Sequence, residues 1–258
     1  GAEGSGANGS FLKNTPVEIN EAEVPIKILR YGLAPNSGGA GKHRGGLATE
    51  MRFQAQAPNT KVTARNRDRT RFRSWGVLEG KAGTNSAFLL NPDSNHTVNL
   101  GNTDILTIGP GDVVHVAAGG SGGWGNPLER NPDDVVQDVK CGFVTPESAR
   151  DTYGVVLENG SHNPTETQRL RDTLISNREN GEAFFDYGPE RDKFESVWTN
   201  ENYTALSDLL DDLPIHWRFF MKHRIFEAVA DDPDGGSIRD RFAKIVEEFP
   251  ELSRGLAS

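Results

Sequence analysis

Glycine occupies positions 119, 120, 122, 123 and 125, so within GGSGGWG only Ser121 and Trp124 carry side chains. No other stretch constrains the chain as tightly. A backbone without Cβ atoms reaches left-handed torsions, and it lets another backbone or a ligand come close. Two helix starts follow it. Asn131 can cap the first, Pro132 fits its first turn without losing a needed N–H, and Asp133 and Asp134 face the positive end of the dipole. Gly142 stops it. Thr145, Pro146 and Glu147 repeat the order for a second short helix reaching towards Tyr153. Helix-start chemistry accounts for the Asp133–Asp134 pair, which is read as structural.

Before the glycine run the pattern is that of strands. Residues 1–15 are polar and glycine-rich and read as a loop or arm. Val24–Tyr31 suits a strand, and Met51, Phe53 and Ala55 alternate with Arg52 and Gln54 as in a half-buried one. Ser86–Leu90, Thr97–Leu100 and Ile105–Ile108 are short apolar runs divided by Asn-Pro-Asp, Gly-Asn and Gly-Pro-Gly, which predicts a meander. Pro110 and Gly111 fit the central positions of a type II turn, after which Asp112–Ala117 returns as a strand. Short strands at this spacing favour a sandwich or barrel-like unit over a parallel sheet. After Leu157 the composition turns helical. Asn163 and Pro164 open a polar helix that Gly181 closes. Leu206, Leu209, Leu210 and Leu213 mark a second, ending before Pro214. The run 214–230 has an apolar face too wide for one neighbour, and Ile238–Phe249 gives the last helix. The expected fold is α+β: a β-rich unit of short, mostly antiparallel strands at 1–157, with two short helices at its end, and a helical region at 158–258.

Composition narrows the function. Only 35% of the 258 residues are hydrophobic and 29 are glycine, which points to extended loops or a partner surface. A net charge of -9 argues against general nucleic-acid binding, because phosphate contacts need clustered positive potential. The lone Cys141 excludes an internal disulfide and a cysteine-rich metal site, and reads as a buried thiol in a reducing compartment, hence a cytoplasmic protein. No stretch approaches the roughly 20 apolar residues of a membrane helix. No signal peptide is visible.

Four features compete for chemistry. SGGAGKHRGG at 37–46 lacks the first glycine and the final Ser/Thr of a Walker A loop, so it reads as a mobile turn with a basic tip, with an anion-contacting loop as the alternative. Arginine at 65, 67, 69, 71 and 73 has a period of two, so an extended chain would place five guanidinium groups on one face. Such a face calls for acidic partners or an anionic ligand, and Arg67, Arg69, Arg71 and the neighbouring Trp75 are candidate contacts. His115, just before the glycine run, is the most interesting histidine, with a hydrogen-bonded structural role as the plainer reading. No histidine pair has metal-ligand spacing. Ser121 has glycines at the positions of a nucleophile elbow but no helix directly after it. Gly119, Gly120, Ser121, Gly122, Gly123 and Trp124 are therefore taken as a substrate or partner contact, and no catalytic residue is assigned.

Four segments together carry a resemblance: NTPVEINEAEVPIKILRYGLAPNSGGAGKHRGG at 14–46, RDRTRFRSWGVLEGKAGTNS at 67–86, GPGDVVHVAAGGSGGWGNPLERNPDDVVQDV at 109–139 and ARDTYGVVL at 149–157. They resemble the C-terminal part of the hydantoinase B/5-oxoprolinase B family. FFDYGPER and LPIHWRFFMKHRIFEAV resemble the C-terminal extension of longer members. The resemblance implies a component of a multi-subunit, ATP-dependent enzyme. Its A-type partner would bind ATP and Mg²⁺ and phosphorylate a substrate oxygen, in chemistry governed by positioning and charge stabilisation. It implies either opening of a cyclic amide or carboxylation of a ketone such as acetone or acetophenone, and a non-catalytic assembly role is the alternative. A divalent metal elsewhere in the complex is compatible with it. A chain carrying the missing N-terminal part of the B-type component is an expected partner. Ser121 and Asn126 replace residues common in the family, so no catalytic or metal-ligand role is transferred, and this chain alone is expected to be inactive.

Overall fold

The structure of the chain, a computed structural model, describes residue 3 and residues 15–64, 69–177, 184–249 and 251. It divides into two compact units, Gly1–Glu190 and Arg191–Ser258.

The first unit begins with α1 (Val17–Glu23), a short exposed helix where only strands and loop were expected. Pro16 opens it at φ -53, Glu18 lies in its first turn, and Val24 leaves in an extended conformation. The strands that follow are β1 (Ile26–Leu33), β2 (Thr49–Ala55), β3 (Thr60–Thr63), β4 (Gly76–Val77), β5 (Ala87–Leu90), β6 (Val98–Asn99), β7 (Ile105–Ile108) and β8 (Val113–Ala117). They do not form a meander. The main sheet has the order β1-β2-β8-β5-β6, all antiparallel, whereas β7 pairs with β3 as a separate ribbon. The register explains the choice. Phe53 lies opposite Val114, and Phe88 opposite Val116, so β8 slots between β2 and β5 with its apolar residues on their side. Ile108 of the ribbon joins Phe53, Ala55, Phe88 and Val114 in one buried cluster, which makes the unit two-layered. Each large side chain buried there contributes about 1.5–3 kcal/mol. The type II turn forms as expected: Gly111 has φ +92, and Asp112 N–H donates to the Gly109 carbonyl at 3.1 Å.

The helix starts are as read. In α2 (Pro132–Lys140) the Asn131 side chain accepts from Asp133 N–H, and in α3 (Pro146–Asp151) the Thr145 hydroxyl accepts from Ser148 N–H. Val135, Val144, Ala149, Tyr153 and Val155 form the cluster under them, and burial pushes the Tyr153 phenol up to about 12. Cys141 is exposed rather than buried: it is the C-cap of α2 and its sulfur accepts from Gln137 Nε2 at 3.2 Å. A tight hairpin follows, β9 (Leu157–Glu158) to β10 (Ser161–His162), turned by Asn159 and Gly160 at φ 49 and 77. Both positive torsions are what a two-residue type I′ turn requires. Asn163 then caps α4 (Pro164–Ser176), which ends with Asn177 as its C-cap, ahead of the expected stop at Gly181, a residue outside those described. Within FFDYGPER, Phe185–Asp186 is a strand, β11, paired with β4.

Helix α5 (Pro189–Val197) leads into the second unit, which holds α6 (Asn200–Asp211), α7 (Ile215–Asp231) and α8 (Ile238–Glu248). A reciprocal capping box between Ser237 and Asp240 starts α8. Helix α7 packs on both α6 and α8, burying Met221, Ile225 and Val229, and Phe226 stacks on Trp198 at 4.1 Å. Its face is wide because it has two neighbours, although Ile215 and Phe219 remain exposed. Among the described residues no helix is long and apolar enough to cross a membrane.

Candidate functional site

The run Gly119–Gly125 lies extended in the middle of other glycine-rich segments. On one side Gly39 N–H donates to the Ser121 carbonyl at 2.8 Å, Ser121 N–H to that of Gly46 at 3.0 Å, and His43 and Trp124 exchange backbone bonds of 2.9 and 3.0 Å. On the other, Gly120 N–H reaches Thr84 at 3.1 Å, Gly123 N–H reaches Lys81 at 2.9 Å, and Val77 N–H reaches Gly123 at 3.0 Å. Lys81 N–H closes the set on Ala40 at 2.7 Å. A Cβ on Gly120 would lie 1.8 Å from the Ser37 carbonyl oxygen, and one on Gly122 equally close, 1.8 Å, to that of Trp75. Only Gly125 of this run has a positive φ, 74°. Close approach, not left-handed torsion, is therefore what the other four glycines provide. The 37–46 segment is correspondingly not an exposed turn. Ser37–Gly39, Gly41 and Arg44–Ala48 are buried in this bundle, and only Lys42 and His43 keep the basic tip exposed.

Ser121 and Trp124 point out of the bundle to solvent. Ser121 sits in extended chain rather than on a strand-to-helix turn, so the elbow geometry is absent. Trp124 tilts against His43, with ring centroids 5.4 Å apart. Next to this run lies Arg69, whose Cβ is 3.1 Å from the place a Gly119 Cβ would take and whose guanidinium lies 5.6 Å over the Trp75 ring. The arginine ladder does not continue as a strand. Arg67, with Arg65, lies outside the described residues; Arg69 has φ 56 and the chain bends at 70–72. Arg71 covers the Phe72 ring at 5.2 Å, and Arg73 donates to Glu190 Oε1 from Nε at 3.1 Å and Nη2 at 2.6 Å. That pairing holds the Glu190 carboxyl below its usual range. Like charges alternating on one strand face would repel; the bends give these three arginines different surroundings.

Sequence reasoning missed the residues that complete this surface. Tyr187 meets Trp75 at 6.3 Å, Phe185 meets Tyr187 at 5.6 Å, and Phe184 meets Phe185 edge-on at 4.7 Å. Trp75, Trp124, Phe184, Phe185 and Tyr187 are each 39–56% exposed. The signal was the aromatic density of FFDY. Pairing of β11 with β4, with Asp186 Oδ2 accepting from Ala82 N–H at 3.1 Å, brings it beside Trp75.

His115 has different company. It lies on the polar face of the main sheet, opposite Arg52 in the register, and its Nε2 is 3.1 Å from Glu50 Oε2. Arg30 bonds the other Glu50 oxygen, and Arg52 Nη1 donates to Asp93 at 2.6 Å. Burial and the neighbouring Arg52 charge hold the imidazole below its ordinary range, against the opposing pull of Glu50. A carboxylate can only accept, so the proton of this contact is carried by Nε2. Beside it Arg30, Arg52, Asp93, His96 and Asp112 line an open hollow of about 680 Å³. Among the described residues no group of three or more His, Cys, Asp or Glu is placed to hold a metal ion.

Comparison with known proteins adds what this chain is similar to. The model described as Hydantoinase B/oxoprolinase matches residues 1–127. The B-type component of a D-/L-hydantoinase from a Pseudomonas species is 32% identical over 149 residues, 56% of this chain and 24% of that one. The beta component of the caprolactamase of Pseudomonas jessenii is 33% identical over 168 residues, 62% of this chain and 28% of its own. The chain thus spans about a quarter of the length of these curated relatives. A nucleotide-free acetone carboxylase structure aligns with 93% of this chain and 32% of that chain, with a TM-score of 0.50 at 18% identity, which is a likeness of fold. The match to the hydantoinase B/oxoprolinase family model thus falls on residues 1–127, where the glycine bundle and the main sheet are built.

Proposed function

We propose that this chain is a subunit, or part of one, of an ATP-dependent cyclic-amide hydrolase of the hydantoinase/5-oxoprolinase type. The family match over residues 1–127 carries the reading. In it, ATP and Mg²⁺ bind an A-type partner, a further chain supplies the rest of the family sequence, and the complex works in the cytoplasm. The surface of Trp75, Trp124, Phe185, Tyr187 and Arg69 meets a partner, since tryptophan, tyrosine and arginine are the residue types that dominate binding energy at interfaces. The close-packed glycines hold that surface in place.

The test is reconstitution. The purified chain, alone and assembled with its A-type partner and the chain carrying the remaining family sequence, is assayed on hydantoins, 5-oxoproline, lactams and ketones, with and without ATP and bicarbonate. ATP-dependent ring opening by the assembly alone is the expected result. Turnover by the isolated chain rejects the division of labour. ATP- and bicarbonate-dependent consumption of a ketone assigns the assembly to the carboxylases instead, and a complex that forms without turning over any of these leaves the chain as an assembly module.

A further inference from the structure

Helix α4 turns Glu166, Arg169 and Leu170 towards Arg150 of α3, and the extended segment 155–157 runs between the two helices. Spacings of three and four positions put these α4 side chains on one side of the helix. Together with the segment they line a hollow of about 530 Å³ within the first unit. The segment is tied to both helices and to the strand that follows. Val155 N–H donates to the Ala149 carbonyl of α3 at 2.9 Å, Val156 N–H to the Thr167 hydroxyl of α4 at 3.1 Å, and Asn163 N–H to the Val156 carbonyl at 2.8 Å. The hollow is therefore preformed, and its size is that of small-molecule sites. Residues 155–157 and Leu170 make its walls largely apolar. Its charges do not balance. Arg169 is taken by Glu166, whose Oε2 accepts from Nε at 3.1 Å and from Nη2 at 2.7 Å. Arg150 is exposed in the last turn of α3, and among the described residues no carboxylate pairs with its guanidinium, Glu147 one turn back included. One cation is thus left over at the edge of an apolar hollow. A planar guanidinium matches a carboxylate in two hydrogen bonds at once, and apolar walls favour a hydrocarbon body behind that carboxylate.

We propose that this hollow is a binding site for a small amphipathic carboxylate, its head on Arg150 and its hydrocarbon body between 155–157 and Leu170. The site lies beyond residues 1–127, shares no residue with the surface proposed above to meet a partner, and does not depend on that reading. A bare carboxylate would leave the apolar walls in water, and a neutral hydrocarbon chain would leave the guanidinium without its counter-charge. Only a ligand with both parts matches both features of the hollow.

The experiment titrates the full chain at neutral pH with octanoate, following backbone amide shifts by NMR, with acetate as the head alone and 1-octanol as the tail alone. Octanoate is expected to bind saturably, with the shifts centred on 146–150, 155–157 and 166–173. Acetate gives no saturable shifts there, and 1-octanol binds more weakly than octanoate. In the Arg150→Gln variant, an exposed change whose unaltered melting temperature is checked first, octanoate binds about fivefold more weakly and 1-octanol as before. Absence of saturable octanoate binding, shifts centred elsewhere on the chain, or 1-octanol binding as tightly as octanoate overturns the proposal. So does an octanoate affinity that Arg150→Gln leaves unchanged.

Discussion

At Gly120 and Gly122 the space for a side chain is already taken by backbone carbonyls, those of Ser37 and Trp75. Neither oxygen belongs to a flexible side chain that could swing aside. Gly120→Ala should therefore destabilise the first unit by at least about 3 kcal/mol, whereas Ser121→Ala, one residue on and exposed, should change stability by less than about 0.5 kcal/mol. Urea unfolding of the two variants checks this; a neutral Gly120→Ala would mean the bundle is not packed as described. His115 makes a second prediction. Its folded imidazole binds a proton less readily than the unfolded one, whose ordinary value is 6.5. The unfolded state thus holds more protons below that value, so this contribution to stability is complete above 6.5 and is lost as pH falls below it. Unfolding free energies at about pH 7.5 and about pH 5.5 should differ less in His115→Gln than in the wild-type chain. An unchanged difference contradicts the assignment.

Elements differ in how much of their definition is local. The caps of α2, α3 and α4 bond backbone groups two or three residues away, and each was legible as Asn-Pro or Thr-Pro followed by acid. Asn131→Ala should cost about 1 kcal/mol, read as a lower urea midpoint with an unchanged slope. A loss no larger than that of an exposed control substitution would remove Asn131 from the account. The β9–β10 hairpin has an equally local signal in Asn159-Gly160, which the expectation of a helical region from 158 onward passed over. Strand pairing was not legible. The three apolar runs were found, but the partner of β7 is β3 and the partners of β8 are β2 and β5, and nothing within the runs names them. The arginine period failed for a related reason: a period of two describes a face only if the backbone stays extended, and Arg69 turns it.

On the scale of the whole molecule, two units have cores of their own, one built on Phe53, Phe88 and Val114 and the other on Trp198, Met221 and Ile225. The family match falls within the first of them. Exposed aromatic side chains in the first unit and Ile215 and Phe219 in the second are more apolar surface than scattered single residues, and agree with the modest hydrophobic content. The candidate contact surface belongs to this scale, because it joins residues 69–75, 119–124 and 184–187, three segments that only the fold assembles.

The sequence by itself determined where the helices begin, where the type II turn lies, which residues of β2 face the core, and the family that residues 1–127 resemble. Those signals are local hydrogen bonds, a period of two, or a collinear motif, and all survive in one dimension. The tertiary structure decided what the glycines are for. GGSGGWG allowed positive torsions, a close ligand or a close backbone, and the choice fell to the backbones of Ser37 and Trp75, supplied by distant parts of the chain. His115 found Glu50 across 65 positions in the same way. Steric crowding and desolvation depend on every neighbour in space, so they exist only once the chain has folded around them.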